Sequence, residues 1–205
     1  MDVRLDDGML EIFPPLRGEP AQMFTVEAAA RSTREHPAPP VIRPTRTGIR
    51  IDAGQPLRYL LVRVPSGVTL HADVKNGDIV AQDVSAPLDL VAHHGSVRAV
   101  VYGYAQARTD LGDLSVSLGA ASWPGTLHFE TRRGNVTLWV EPGVAFRVRL
   151  HTDGGAIYTT FPLRGRARGT AETIEGTVGA GAPARGVDVR VGQGDIRLLE
   201  IGKQP

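Results

Sequence analysis

The sequence VPSGVTLHADVKNGDIV at residues 64–80 contains an alternating strand, a glycine and a second short strand. The same unit returns five times, and repetition of this kind is the signature of a repeat architecture. The further copies span residues 88–101, 105–116, 127–140, 146–158 and 187–198. The first five glycines are 18, 17, 22 and 21 residues apart, close to the length expected for one coil of a β-solenoid.

Alignment of the six units on their glycine separates uncharged columns from charged ones. The positions seven, five and three residues before the glycine and two residues after it contain no charge, whereas most charges lie six and two residues before it. Because side chains alternate between the two faces of a strand, one parity points inward and the other outward. We therefore predict an all-β fold, a single-stranded β-solenoid or β-helix-like stack of short strands with glycine turns.

The glycines and the residues after them are predicted to form the turns between strands. Glycine tolerates a positive φ without steric cost, and Asp or Asn side chains can hydrogen-bond the backbone of their own turn. The predicted structural turn residues are Gly77, Gly95, Gly112, Gly134, Gly155, Gly194, Asp78, Asp113, Asn135 and Asp195.

The rest of the chain is expected to complete a single domain over residues 1–205. Residues 1–63 are predicted to be an irregular, β-rich N-terminal lead-in or cap, with a hairpin-like signal at Asp6-Asp7-Gly8 between strands at 3–5 and 9–13. Alternation favours a strand at 24–30 over a helix at 27–35. Residues 64–160 form the regular coils, and 161–205 a degenerate coil, with a loose strand at 174–178, and the terminal strand unit.

Composition excludes several classes of protein. The 205 residues include 24 Gly and 15 Pro, as expected for many short strands and turns, and 23 basic against 22 acidic residues. This balance does not favour a nucleic-acid partner. No cysteine is present, so disulfides and thiolate sites are excluded. The N-terminus has neither a signal peptide nor a membrane segment, which predicts a cytoplasmic protein; a chain trimmed of a leader would be envelope-associated.

The order of motifs resembles a known family. It comprises V-P-x-G-V-x-L at 64–70, the repeated strand–G-[DNS]-[VIL] units, E-P-G-V-x-F at 141–146, I-x-G at 174–176 and V-x-V-x-x-G-x-G-D-I-x-L at 187–198. Over roughly residues 9–201 it is similar to the bacterial β-strand-repeat "putative adhesin" domain of unknown function, which is related to toast-rack domains. The resemblance implies a β-solenoid-like stack without established catalytic residues.

Metal and cofactor sites are not expected. The Gly-Asp pairs resemble calcium-binding nonapeptide turns, but the period is about twice as long and each turn has at most one Asp, which favours turn capping. His93 and His94 are adjacent on a strand and therefore point to opposite faces, so they are poorly placed to chelate one metal ion. No cofactor is predicted.

Two pairs of carboxylates indicate an alternative function. Asp110 and Asp113 flank Gly112, and Asp73 and Asp78 flank Gly77. A carbohydrate-active, polysaccharide-cleaving enzyme could use such pairs in a groove on the solenoid face. Ion pairing between coils explains the charges as well, because the column two residues before the glycine alternates in sign. It contains Lys75, His93, Asp110, Arg132 and Asp153.

The leading prediction is a non-enzymatic structural or interaction module, adhesin-like, that binds through its strand faces. Trp139 has outward parity and with Tyr158 could form an exposed aromatic patch. The possible interaction face therefore comprises the five charged-column residues together with Trp139 and Tyr158. The expected partners are a protein, a surface polysaccharide or another copy of the chain in a homo-oligomer, without nucleic acid and without a membrane span.

Overall fold

The computed structural model describes residues 1–18, 20, 23–30, 39–46, 48–54, 57–119, 123–180 and 183–203. In these residues the fold is all-β, with 20 strands and no helix, which confirms the predicted class. None of them forms a helix that could cross a membrane. The strands are β1 (Asp2–Asp7), β2 (Met9–Phe13), β3 (Thr25–Ala30), β4 (Val41–Thr45), β5 (Gly48–Ala53), β6 (Leu57–Arg63), β7 (Leu70–Asn76), β8 (Ile79–Val84), β9 (Leu88–His94), β10 (Val97–Val101), β11 (Ala105–Leu111), β12 (Leu114–Leu118), β13 (Thr126–Arg133), β14 (Val136–Val140), β15 (Phe146–Gly154), β16 (Ile157–Thr159), β17 (Gly165–Arg168), β18 (Ala171–Val178), β19 (Gly186–Gln193) and β20 (Ile196–Glu200).

The strands form two mixed sheets that share one hydrophobic core. The larger sheet has the order β17-β18-β15-β19-β13-β11-β9-β7-β1-β5-β4, and the smaller has the order β16-β20-β14-β12-β10-β8-β2-β6-β3. The strand before each repeat glycine belongs to the larger sheet and the strand after it to the smaller. Equivalent strands of neighbouring units pair in parallel, and antiparallel strands β3, β4, β17 and β18 lie towards the sheet edges.

The uncharged columns form the core. Phe129, Leu150 and Val189, five residues before their glycines, are buried, as are the residues two positions after the glycines. The column three residues before the glycine includes three fully buried threonines. Their hydroxyl groups donate to glycine carbonyls of the neighbouring unit at 2.8–3.1 Å, so none of the three is an unsatisfied polar group. They are Thr109, Thr131 and Thr152.

The spatial order of the units departs from their order in the sequence. β19 lies between β13 and β15, and β20 lies between β14 and β16. The C-terminal unit is therefore inserted between two earlier units instead of being added at the end. Consecutive units are neighbours only from β7 to β14, because at the N-terminal end β1 and β2 likewise lie between β5 and β7 and between β6 and β8.

The hairpin-like interpretation of Asp6-Asp7-Gly8 is also wrong. β1 pairs in parallel with β5 and β7, whereas β2 pairs in parallel with β6 and β8 in the other sheet. The first thirteen residues therefore form another strand–glycine–strand unit. Val3, Leu5 and Leu10 occupy its inward positions and are buried, as in the other units.

The remaining predicted strands agree with the structure where it describes them. The strand predicted at 24–30 is confirmed by β3. The alternative helix extended over residues 31–35, which lie outside the described residues. The loose strand predicted at 174–178 is part of β18, which pairs antiparallel with both β15 and β17. Residues 181–182 of the predicted loop lie outside the described part of the chain.

The repeat glycines form a column in which each backbone lies against the next. An added Cβ at Gly77 would overlap the carbonyl oxygen of Gly8, and one at Gly95 would overlap that of Gly77. The contact continues through Gly112, Gly134, Gly194 and Gly155. Gly77 has a φ of 141° as well, which L-residues rarely adopt. Gly155 does not share the positive φ, so close approach is what it has in common with the others.

Replacing Gly77 with alanine should lower the free energy of unfolding by at least about 2 kcal/mol, because the new methyl group both overlaps a backbone oxygen and requires a strained φ. Gly67→Ala is the matched control, since nothing lies within 4 Å of its added Cβ, and it should change stability by less than about 0.5 kcal/mol. Urea denaturation followed by circular dichroism measures both. Equal stability of the two variants would contradict the close-packed column.

Candidate functional site

The outer surface of the larger sheet, here called the charged face, presents three rows of mostly charged side chains. In the row six residues before the glycine, Arg50 lies 3.9 Å from Asp2, and His71 lies 3.0 Å from Asp89. Paired strands place opposite charges side by side in this way, and exposed pairs each contribute little. The row contains Arg50, Asp2, His71, Asp89, Gln106, His128, Asp188, Arg149 and Glu175.

The charged column predicted from the sequence lies on this face, but its predicted alternation of sign is interrupted at two places. Lys75 pairs with Asp6, and Asp110 lies 2.8 Å from His93 and 3.9 Å from Arg132. Arg132 is not the neighbour of Asp153, because β19 separates their strands and places Gly192 between them. Lys75 and His93 are also adjacent and both basic, so the sign alternates only from His93 through Asp110 to Arg132.

His93 joins two carboxylates on the charged face. Its Nδ1 lies 2.8 Å from Asp110 and its Nε2 lies 3.5 Å from Asp73. The hydrogen bond with His93 holds the pKa of Asp110 below its ordinary value, and the charges of His93, Arg108 and Arg132 lower it further against the opposing effect of burial. A carboxyl group that acts as a general acid needs the opposite shift.

The predicted turn residues form hydrogen bonds from one unit to the next. The Oδ1 atom of Asp78 accepts the N–H of Ser96 at 2.8 Å, and that of Asp113 accepts the N–H of Asn135 at 2.7 Å. Asn135 Oδ1 in turn accepts the N–H of Asp195 at 2.9 Å. The side chains thus cap the neighbouring unit, which corrects the expectation that each would bond its own turn.

These contacts separate the two carboxylate pairs on which the enzyme alternative depends. Asp73 and Asp110 lie on the charged face beside His93, whereas Asp78 and Asp113 accept backbone N–H groups in the turns. Each pair is therefore divided between two surroundings. The geometry brings Asp73 and Asp110 together around one histidine, a combination that the sequence pairs did not contain.

Histidine and acidic side chains were also considered as metal ligands. Within the described ranges, no group of three or more His, Cys, Asp and Glu side chains is placed to hold a metal ion. His93 points to the charged face, and the Nδ1 atom of His94 lies 3.3 Å from the carbonyl oxygen of Lys75. The two adjacent imidazoles are engaged with different groups.

A cavity of about 540 Å³ lies where β1 and β5 begin. Its apolar lining includes Phe24, Ile49 and Val68. Among the described residues that line it, the ionisable side chains are already paired, Asp2 with Arg50 and His71 with Asp89. The cavity therefore offers apolar surface without a free charged side chain of its own.

The outer surface of the smaller sheet differs from the charged face. Over β10, β12, β14, β20 and β16 it carries hydroxyl, aromatic and aliphatic side chains, and its only outward-pointing charged strand residues are two arginines. We call this surface the aromatic face. It comprises Arg98, Val100, Ser115, Ser117, Thr137, Trp139, Tyr158 and Arg197, whereas Leu199, which shares their parity, is buried.

The aromatic rings of this face are open to solvent. Trp139 is 37% exposed and Tyr158 is 48% exposed. They lie on strands separated by β20, and the guanidinium of Arg197 on β20 stacks over the Tyr158 ring at 5.5 Å from its centroid. Tyr102, which follows β10 and covers Gly119, is 41% exposed. Exposed aromatic groups collected on one flat surface are typical of interaction sites.

The structure divides the interaction face predicted from the sequence into two. Lys75, His93, Asp110, Arg132 and Asp153 belong to the larger sheet, whereas Trp139 and Tyr158 belong to the smaller one. Because the two sheets enclose one core, these groups point to opposite sides.

The prediction also omitted Arg98 and Arg197, which complete the aromatic face. Both stand three residues after their Gly95 and Gly194, where the parity already used for the core makes them point outward.

Comparison with known proteins gives one distant structural likeness. No protein-family model matches the chain, and no curated protein matches it. One solved structure, described as a "putative cell adhesion protein" from Clostridium sporogenes, has 10% sequence identity, a TM-score of 0.49, and coverage of 97% of this chain and 92% of its own.

Removing the His93 imidazole should raise the pKa of Asp110. Because the pKa of Asp110 in the folded protein lies below its ordinary value of 3.8, the ionised carboxylate stabilises the fold above pH 3.8. This stabilisation is lost as the pH falls through the lowered pKa. In His93→Ala the carboxyl group should titrate at higher pH, which carbon NMR of the Asp110 side chain measures directly. His128→Ala is the control on the same face and should leave the titration unchanged. An unaltered Asp110 titration in His93→Ala would show that the hydrogen bond is not the cause.

Proposed function

We propose that this chain is a β-solenoid that serves as a non-enzymatic, adhesin-like interaction module, and that it binds a polysaccharide chain along the aromatic face. The observation that carries the proposal is the unequal chemistry of the two outer faces. On one face several charges pair with each other across neighbouring strands, while the other presents exposed aromatic rings and hydroxyl groups.

Pairing leaves the charged face little capacity for a further ligand. His71, His93 and Arg149 each lie within 3.1 Å of a carboxylate on a neighbouring strand. A charged ligand that binds there competes with these existing contacts, at a cost of about 0–1 kcal/mol for each exposed pair that it replaces. The aromatic face imposes no such cost, because its rings and most of its hydroxyl groups face solvent.

The solenoid assignment is supported by the regular pairing of the units. Each unit contributes one strand to each sheet, and its neighbours pair with both strands in parallel at the same register. Such an array buries a core only by stacking its units, and it produces long flat outer faces. A flat face several strands wide suits an extended polymer better than a small molecule.

The enzyme alternative has less support from the geometry. Most enzymes that hydrolyse polysaccharides use a carboxyl group held protonated near neutral pH beside a second carboxylate. The pKa of Asp110 is lowered, and its acidic neighbour Asp73 lies on the other side of His93. We place neither residue in a catalytic role.

Replacing Trp139 with alanine should weaken polysaccharide binding about 5- to 30-fold, because loss of a central aromatic contact costs about 1–2 kcal/mol. The measurement is binding of labelled protein to an array of neutral and acidic polysaccharides, with reducing ends assayed in parallel. Glu130→Ala, an outward-facing substitution on the charged face, is the control and should bind normally. Binding that is kept in Trp139→Ala and lost in Glu130→Ala would place the site on the charged face and contradict the proposal. Release of reducing ends would show an enzyme.

A further inference from the structure

The aromatic face has a consistent electrostatic sign. In register across β10, β12, β14, β20 and β16, one row of side chains reads Arg98, Ser115, Thr137, Arg197 and Tyr158. The next row reads Val100, Ser117, Trp139 and Leu199. Neither row contains a carboxylate. The nearest acids are Asp195, which pairs with Arg197, and Asp113, and both stand in the turns beside the rows. An anion would therefore meet two guanidinium groups within the rows themselves.

The two guanidinium groups are held differently. Arg197 is oriented by Asp195, at 3.3 Å, and by the ring of Tyr158. Arg98 is exposed, and no hydrogen bond, ion pair or ring contact engages it in the part of the chain that the structure describes. One cation is thus positioned in advance, whereas the other is available to pair with a ligand.

Hydroxyl groups fill the space between the two arginines. Ser115 and Thr137 separate them, and a shallow cavity of about 200 Å³ is lined by all four residues. Asp113 also lines this cavity, where its Oδ1 atom accepts the N–H of Asn135 and is held in the turn. Hydroxyl groups donate and accept hydrogen bonds, so this strip matches a ligand that is itself rich in hydroxyl groups.

The spacing of the cations indicates how densely charged the ligand is. Arg98 and Arg197 lie three strands apart, or about 14 Å at 4.8 Å per strand. A nucleic-acid strand carries a phosphate about every 3.4 Å, and its binding usually neutralises six or more phosphates. Two guanidinium groups are too few for that, but they suit a polymer with sparse charges.

We propose that the aromatic face binds an acidic polysaccharide, a chain of sugar rings that carries carboxylate or sulfate groups. Arg98 and Arg197 pair with two of its anionic groups, Ser115 and Thr137 hydrogen-bond its hydroxyl groups, and Trp139 packs against the apolar face of a ring. This inference rests on the proposed function and adds the charge of the ligand. Carboxylate and sulfate share this chemistry, since both accept hydrogen bonds from a guanidinium fork.

Isothermal titration calorimetry at low salt tests the proposal with four probes: polygalacturonate, dextran sulfate, uncharged dextran and a single-stranded oligonucleotide. We expect at least one acidic polysaccharide to bind tenfold or more tightly than dextran and the oligonucleotide, with affinity falling as salt is added. The two acidic probes distinguish carboxylate from sulfate as the preferred group.

Arg98→Ala should weaken binding of the acidic polysaccharide about five- to tenfold. Arg190→Ala, which removes the same charge from the charged face, should change it less than twofold. Circular dichroism of both variants checks that they remain folded. Equal losses of affinity in the two variants would show that net charge alone explains the effect, and would overturn the assigned site.

The remaining outcomes separate this inference from the proposed function. Equal, Trp139-dependent binding of dextran and the acidic polymers would overturn the inference and leave the polysaccharide-binding function standing. Preferred binding of the oligonucleotide would overturn both in favour of a nucleic-acid partner. Binding of none of the polysaccharides at millimolar concentration would also overturn both.

Discussion

The close approach of the turn backbones is the constraint on which the rest of the structure depends. Each repeat glycine lies against the carbonyl oxygen of the glycine in the neighbouring unit, from Gly8 and Gly77 through to Gly194 and Gly155. This contact leaves no room for a side chain, so it fixes the register of adjacent units. Because the register is fixed, inward-pointing residues of neighbouring strands lie side by side and form one core. The outward-pointing residues likewise form one continuous outer face on each sheet.

The two faces differ because the strands before and after the glycine carry different residues. On the charged face, several carboxylates pair with histidine, lysine or arginine on the next strand. The aromatic face depends instead on the inserted C-terminal unit. That unit supplies β20, which places Arg197 between Thr137 and Tyr158. Without the insertion, Tyr158 would be brought beside β14 with no arginine between them, and the row of hydroxyl groups would end without its second cation.

Much of the fold was predictable from the sequence because burial and parity are local properties. The uncharged columns around Gly77 and Gly134 indicated which side chains form the core. The order of the units was not predictable, since the C-terminal unit satisfies the same columns wherever it is inserted. The prediction at Asp6-Asp7-Gly8 was wrong because an Asp-Gly pair between short strands is typical of a hairpin as well as of the repeat turn. Leu5 and Leu10 already fit the uncharged columns of the repeat. For the candidate site, outward parity identified Trp139 and Tyr158, but the separation of the two faces required the sheet assignment of each strand.

Disulfide trapping between strands tests the central claim, the insertion of the C-terminal unit, most directly. The chain has no cysteine, so the two introduced residues supply its only thiol groups. Glu130 and Arg190 are paired across β13 and β19, within the roughly 4.4–6.8 Å between Cα atoms that a disulfide requires, whereas His151 lies one strand further away. We expect Glu130→Cys with Arg190→Cys to form an intramolecular disulfide under mild oxidation, and Glu130→Cys with His151→Cys to remain reduced. The reverse result would mean that the units stack in sequence order, and it would remove Arg197 from its place on the aromatic face.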